Sequence, residues 1–168
     1  MIWPFRRKSK KRIARIVIDE PITSSTRISV LKALKQIEDR EFPALIVRID
    51  SPGGTVGDSQ EIYSAIKRLK DKGCKVIASF GNISASGGVY IGVASDKIVA
   101  NPGTITGSIG VIIRGNNLSE LLDKVGIKFE TVKSGVFKDI LSPDKPLSEE
   151  GRGLLQGLID ESYKQFTE

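Results

Sequence analysis

The chain has 168 residues, which is the size of one ordinary domain and enough to bury a core without disulfides. It contains one cysteine and no histidine, so the usual ligand sets for zinc cannot be assembled, and we expect no cofactor. Of the 26 basic residues, seven lie within the first 15 positions, which leaves 19 against 20 acidic residues in the remainder. The folded body therefore lacks the basic footprint of a nucleic-acid-binding protein.

Residues 1–12, "MIWPFRRKSKKR", form a basic arm with an aromatic tip. This composition is typical of a peripheral contact with an anionic membrane surface, but it also fits a solvated tail. The apolar run that follows, "IARIVIDE", is too short for a signal peptide or a membrane span. We therefore expect a peripheral membrane or cytoplasmic location.

From residue 13 to the C-terminus, taken as one domain, short β-branched runs alternate with helical patterns. The predicted strands are "RIARIVI", "ALIVRI" (44–49), "KVIASF" (75–80), "KIVA" (97–100), "SIGVII" (108–113) and "IKFETV" (127–132). Strands separated by helices are typical of βαβ units. We therefore predict an α/β fold with a mostly parallel sheet.

The helices between these strands are predicted from apolar stripes and capping residues. The stripes consist of Val30, Leu31, Leu34 and Ile37 in the first helix and of Ile62, Ile66 and Leu69 in the second. Gly73 is expected to end the second helix, Asn117 to cap "LSELLDKV" and Ser148 to begin the last helix.

In parallel sheets, ligands bind beyond the carboxyl ends of the strands, and two loops stand out there. The first is "DSPGGT" (50–55), which lacks the residues of a phosphate loop or a dinucleotide fingerprint. Its glycines fit a tight turn, and they also fit a backbone that approaches a ligand and directs N–H groups at an oxyanion.

The second loop, "GNISASGGVY" (81–90), places Ser86 at the start of a predicted helix. The free N–H groups and the dipole of a helix N-terminus favour negative charge, which suits a serine that attacks a carbonyl. Alternatively, Ser84 or Ser86 is only an N-cap. Neither serine lies in the Gly-x-Ser-x-Gly motif of α/β-hydrolases.

A nucleophilic serine needs a base, and a Ser-His-Asp triad is impossible without histidine. A lysine can act as the base if an apolar environment keeps it uncharged. Lys138 is the candidate because Val136, Phe137, Ile140 and Leu141 surround it in the sequence. The alternatives are a surface Lys138 paired with Asp139, or Lys133 as the base.

Three motifs in order, "DSPGG", "SFGNISASGGVYIGVASDKIVANPGTITGSIGV" and "KSGVFKDILSP", resemble the signal peptide peptidase A family. Members of that family are serine-lysine proteases with the Clp protease and crotonase type of fold. The similarity extends from about Ile13 to the C-terminus. By this resemblance Ser86 is the nucleophile, Lys138 the general base, and Gly54 and Gly87 the oxyanion-hole donors, while Ser108 orients the lysine.

The resemblance implies an endopeptidase that degrades signal peptides and other hydrophobic or unfolded segments through an acyl-enzyme. It also implies a ring of identical subunits, in which one site can combine residues of neighbouring chains. Relatives usually carry an N-terminal membrane span and continue beyond the position of Glu168, so we expect a C-terminally shortened domain. Two other functions stay open: a crotonase-type acyl-thioester enzyme and a non-catalytic membrane scaffold.

Overall fold

A computed structural model describes residues 12–168. The predicted membrane contact of the basic arm therefore lies outside the described residues. Along the described chain the elements are β1 (Ala14–Ile18), α1 (Ser24–Asp39), β2 (Ala44–Ser51), α2 (Val56–Asp71), β3 (Lys75–Ala85), α3 (Gly87–Gly92), β4 (Lys97–Val99), β5 (Ile105–Gly107), α4 (Ser119–Lys124) and α5 (Glu149–Thr167).

The strands form one parallel sheet in the order β1-β2-β3-β4, and β5 pairs with the second half of β3. Helix α1 connects β1 to β2, and α2 connects β2 to β3, so the first three strands form two successive βαβ units. The predicted α/β class with a parallel sheet is confirmed.

The core lies between this sheet and the apolar faces of α1 and α2. Alternate residues of β2, namely Leu45, Val47 and Ile49, are almost completely buried. The predicted helix stripes are buried as well, at Val30, Leu34, Ile37, Ile62, Ile66 and Leu69. Each such side chain contributes about 1.5–3 kcal/mol when it is fully removed from water. These periodic apolar positions therefore fix which face of each element points inward.

The predicted end of α2 and the predicted start of α5 are confirmed, whereas α4 has Leu118 rather than Asn117 at its N-cap position. After α2, Gly73 has a φ of +90° and donates its N–H to the Lys70 carbonyl at 2.7 Å. The Asn117 side chain accepts from the N–H of Ser119 at 3.1 Å, and the Ser148 hydroxyl accepts from the N–H of Gly151 at 3.0 Å.

Two of the predicted strands are wrong. Segments 108–113 and 127–132 form no strand in the described part of the chain, and β5 lies just before the first of them. Their apolar side chains are largely exposed, as at Ile112 and Val132. A β-branched run indicates a preference for extended backbone, but a strand also needs a neighbour to pair with. No such pairing forms for these runs within residues 12–168.

The chain divides into two compact units, the first ending at Ile109 and the second comprising Gly110–Glu168. The first unit contains the sheet with α1, α2 and α3, and the second contains α4 and α5. None of the helices in residues 12–168 combines the length and apolar character needed to cross a membrane.

Candidate active site

The two loops singled out from the sequence meet in the first unit, at the carboxyl ends of β2 and β3. Ser51 of β2 lies opposite Ser84 of β3 in the parallel ladder. A Cβ added to Gly53 would lie 2.8 Å from both the Cβ of Ser86 and the N atom of Gly87. The "DSPGG" loop thus packs directly against the turn that holds Ser86.

Ser86 has an unusual backbone for a residue with a side chain, with φ +50° and ψ −120°. This conformation is normally occupied by glycine in tight turns and costs about 1–3 kcal/mol for other residues. Its N–H donates to the Gly107 carbonyl at 2.8 Å, and its carbonyl accepts from the Tyr90 N–H at 3.0 Å. The surroundings therefore hold Ser86 in a strained conformation, which is a common property of functional residues.

The alternative that Ser84 or Ser86 is only a helix N-cap does not fit this geometry. Ser86 occupies the N-cap position of α3, but its side chain makes no capping hydrogen bond and is half-buried. Ser84 is completely buried, and its hydroxyl has no hydrogen-bond partner within the described residues. Of these two hydroxyls, only that of Ser86 is accessible to a substrate.

Gly54 is clamped by Ile22, a residue that sequence reasoning missed. The Ile22 N–H donates to the Gly53 carbonyl at 2.9 Å, and the Ile22 carbonyl accepts from Thr55 N–H at 3.0 Å. A Cβ on Gly54 would lie 1.9 Å from that same carbonyl oxygen. The loop is therefore held in place by Ile22 and is not an isolated tight turn. No pattern around Ile22, between Pro21 and Thr23, indicates this role.

A second tie holds the loop through its last residue. The Thr55 hydroxyl donates to the carboxylate of Asp58, which also accepts from the Arg27 guanidinium at 2.7 Å. The hydrogen bond from Thr55, together with Arg27, holds the pKa of Asp58 below its usual range. The starts of α1 and α2 are thus joined beside the glycines.

Gly87 is packed as tightly as Gly54. A Cβ at this position would lie 2.4 Å from the Ser59 hydroxyl and 3.2 Å from the Ile22 Cδ1 atom. Ser59 is buried, and its hydroxyl donates to the Thr55 carbonyl at 2.9 Å. Gly87 is the first residue of α3, and the first N–H groups of a helix lack partners within it. Ser86, Gly87 and Gly54 are therefore brought together in one place.

Lys138 lies in the second unit, where its side chain is exposed. Its apolar neighbour Val136 is 74% exposed, and Phe137 is exposed as well. Residues 110–168 by themselves thus do not supply the apolar pocket that we expect around a neutral lysine.

Asp139 does not pair with Lys138 within residues 110–168. Its carboxylate contacts the ammonium groups of Lys133 at 2.7 Å and Lys145 at 2.6 Å. The hydrogen bond from Lys133, followed by that from Lys145, lowers the pKa of Asp139 to about 2. Lys133 also donates to the Val136 carbonyl at 3.0 Å. The Nζ atom of Lys133 is thus already bound to a carboxylate and to a carbonyl oxygen, which disfavours Lys133 as the base.

Ser108 also has a positive φ, of +53°, and it is exposed. It directly follows Gly107, whose carbonyl accepts the Ser86 N–H. Ser108 is therefore close to Ser86 along the β5 backbone, whereas its action on a lysine stays a prediction.

Gly54 offers a test of the clamp, with Gly57 as the matched control. For the peptidase activity that the family resemblance implies, Gly54→Ala should lower peptide hydrolysis at least 100-fold, since the new methyl group collides with the Ile22 carbonyl and displaces the loop. Gly57 is in α2 with no atom within 4 Å of an added Cβ, so Gly57→Ala should retain activity. Comparison of kcat/KM for the two variants checks this, and equal activities would contradict it.

Several known proteins resemble this chain in sequence. The sequence pattern of peptidase family S49 matches residues 68–168. A Synechocystis sp. protein, slr0021, is 62% identical over 166 residues, which cover 99% of this chain and 60% of that protein. The chloroplastic serine protease SPPA of Arabidopsis thaliana is 37% identical over 130 residues, 77% of this chain and 19% of that protein. The chain therefore spans less than two thirds of the length of each of these relatives.

A solved structure shares the fold over about two thirds of the chain. A serine-to-alanine variant of the 1510-N membrane-bound stomatin-specific protease superposes with a TM-score of 0.55 at 26% identity. The match covers 65% of this chain and 52% of that one. A lysine-to-alanine variant of the same protease, in complex with a substrate peptide, gives a TM-score of 0.54. The pattern match over more than half of the sequence shows that the chain belongs to peptidase family S49.

Proposed function

We propose that the protein is a serine endopeptidase in which Ser86 is the nucleophile and Lys138 the general base. The observation that carries the proposal is the Ser86 turn. There a serine with a strained backbone, whose hydroxyl makes no capping hydrogen bond, contacts the "DSPGG" loop. Strain of this kind is expected where a side chain must be presented to a substrate. An ordinary N-cap serine needs neither the left-handed backbone nor the glycine loop beside it.

The proposed reaction passes through an acyl-enzyme. The free amine of Lys138 accepts the hydroxyl proton of Ser86 while the serine oxygen bonds to the peptide carbonyl carbon. The N–H groups of Gly54 and Gly87 stabilise the resulting oxyanion. The protonated lysine returns its proton to the departing amine as the C–N bond breaks, and water then hydrolyses the ester and restores Ser86.

Lysine as the base is supported by composition and by a relative. The chain has no histidine, so another group must accept the proton. In the 1510-N protease a serine and a lysine were each replaced by alanine, and the lysine variant was captured with a substrate peptide. Lys133 is engaged by Asp139 and by a carbonyl, which favours Lys138 of the two candidates.

For substrates, we propose signal peptides and other hydrophobic or unfolded segments, bound in extended form. Peptide cleavage agrees with the relatives, one of which is the chloroplastic serine protease SPPA of Arabidopsis thaliana. The exposed amine of Lys138 and its exposed apolar neighbours fit a site that is completed on assembly of several copies. We therefore retain the ring of identical subunits as part of the proposal.

The pH dependence of hydrolysis tests the function. Lys138 can accept a proton only as the free amine, so turnover of a fluorogenic apolar peptide should rise between pH 6 and pH 10. Thermal unfolding measured at each pH provides the control for loss of fold. A rate that does not change with pH, in a protein that stays folded, would contradict lysine as the base. Absence of any turnover would favour the scaffold or the acyl-thioester enzyme.

A further inference from the structure

Strand β3 contains a bulge at residues 81–83, shortly before the Ser86 turn. Ile49 of β2 pairs with Phe80, whereas Ser51 pairs with Ser84, so the register shifts between these two positions. Residues 81–83 of β3 therefore face the single residue Asp50 of β2. A bulge of this kind leaves backbone groups without ladder partners and redirects the strand.

Side chains satisfy the backbone groups of this bulge. The carboxylate of Asp50 accepts from the N–H groups of Asn82 at 3.2 Å and Ile83 at 3.1 Å. On the same bulge, the Gly81 carbonyl accepts from the Thr104 hydroxyl at 2.8 Å. The hydrogen bonds from the N–H groups of Ile83 and Asn82 lower the pKa of Asp50, so the carboxylate is ionised at neutral pH.

The carboxylate also fits closely against the bulge. A Cβ on Gly81 would lie 2.2 Å from Oδ2 and 2.4 Å from Cγ of Asp50. Gly81 is thus the residue that admits the carboxylate to this position.

The bulge determines where β3 delivers the serine. Before the bulge, residues 77–79 pair with β4, and from the last residue of the bulge onward, residues 83–85 pair with β5. Ser86 follows at once and donates its N–H to Gly107 at the end of β5. Asp50 is also the first residue of the "DSPGG" loop, whose Gly53 contacts Ser86. One side chain therefore joins the "DSPGG" loop to the strand that leads into Ser86.

We propose that Asp50 is a positioning residue that fixes Ser86 relative to the Gly54 loop by holding the 81–83 bulge. This inference rests on the proposed peptidase function. A misplacement of reacting groups by about 1 Å can cost 100-fold in rate, so a small change of the bulge should affect turnover more than substrate binding.

The test compares Asp50→Asn with Asp96→Asn. Asp96 offers a matched control because its carboxylate accepts the Val76 N–H at 2.7 Å, near the start of the same strand and away from Ser86. Both variants lose a carboxylate that binds a β3 N–H group, so both should lower the unfolding temperature. We expect Asp50→Asn to lower kcat for a fluorogenic peptide 10- to 100-fold with KM within about twofold. Asp96→Asn should keep its kcat.

Thr104 provides a second route if Asp50→Asn does not fold. Thr104→Val should lower kcat, and Thr104→Ser, which keeps the hydroxyl, should restore it. An unchanged kcat in folded Asp50→Asn would overturn the positioning role. If Asp50→Asn does not fold, an unchanged kcat in Thr104→Val would overturn it instead. Either result would leave the peptidase proposal intact. A wild-type protein and an Asp96→Asn variant that both lack turnover would overturn the proposed function and this role with it.

Discussion

Replacement of Ser86 by alanine is expected to abolish peptide hydrolysis, with a loss of roughly a millionfold in kcat as for other serine nucleophiles. The side chain makes no capping hydrogen bond, so its removal should leave the unfolding temperature unchanged. The measurement is the hydrolysis rate of an apolar fluorogenic peptide beside a thermal melt of the same sample.

Ser84→Ala is the matched control for this variant. Ser84 lies two residues before Ser86, in β3, and is completely buried and without a hydrogen-bond partner in the described chain. We expect Ser84→Ala to retain wild-type activity because its hydroxyl cannot be reached by a substrate. Activity that survives in Ser86→Ala, or is lost only in Ser84→Ala, would contradict the assignment of Ser86 as the nucleophile.

Lys138→Met should cause a loss comparable to that of Ser86→Ala, since the serine then has no group to accept its proton. Lys133→Met is the control on the same segment. It breaks one ion pair of Asp139, but Lys145 still contacts that carboxylate at 2.6 Å, so the fold of the second unit should persist. Activity that is retained in Lys138→Met and lost in Lys133→Met would identify Lys133 as the base.

The two inactive variants also test whether one site combines two chains. If neighbouring subunits share the dyad, mixed Ser86→Ala and Lys138→Met proteins should recover part of the wild-type activity. No recovery after subunit exchange would indicate that each chain supplies its own serine and lysine.

Much of the fold could be predicted because its elements have strong periodic patterns. The stripe of Ile62, Ile66 and Leu69 marked the buried face of α2, and the continuous run 44–49 marked the central strand. Strands 108–113 and 127–132 were predicted wrongly because a β-branched composition does not provide a pairing partner. The bulge at 81–83 was not foreseen, since it depends on the register between two strands.

The candidate site was predicted in part. The serine before two glycines and the glycine loop after a strand were readable as sequence, and the structure brings Ser86, Gly54 and Gly87 together. The clamp by Ile22 could not be predicted because it acts through backbone groups that any residue carries. The surroundings of Lys138 were predicted to be apolar, yet its neighbours are exposed within 110–168, since sequence proximity does not ensure burial.

Covalent labelling of the wild-type protein with a fluorophosphonate, mapped by mass spectrometry, is the most direct test of whether Ser86 is the activated nucleophile. We expect a single modified serine, Ser86, in the wild type and a strongly reduced labelling rate in Lys138→Met. Ser84 and Ser108 serve as comparison sites in the same digest. A folded protein that is not labelled, or is labelled at a serine other than Ser86, would contradict the claim that Ser86 is the activated nucleophile.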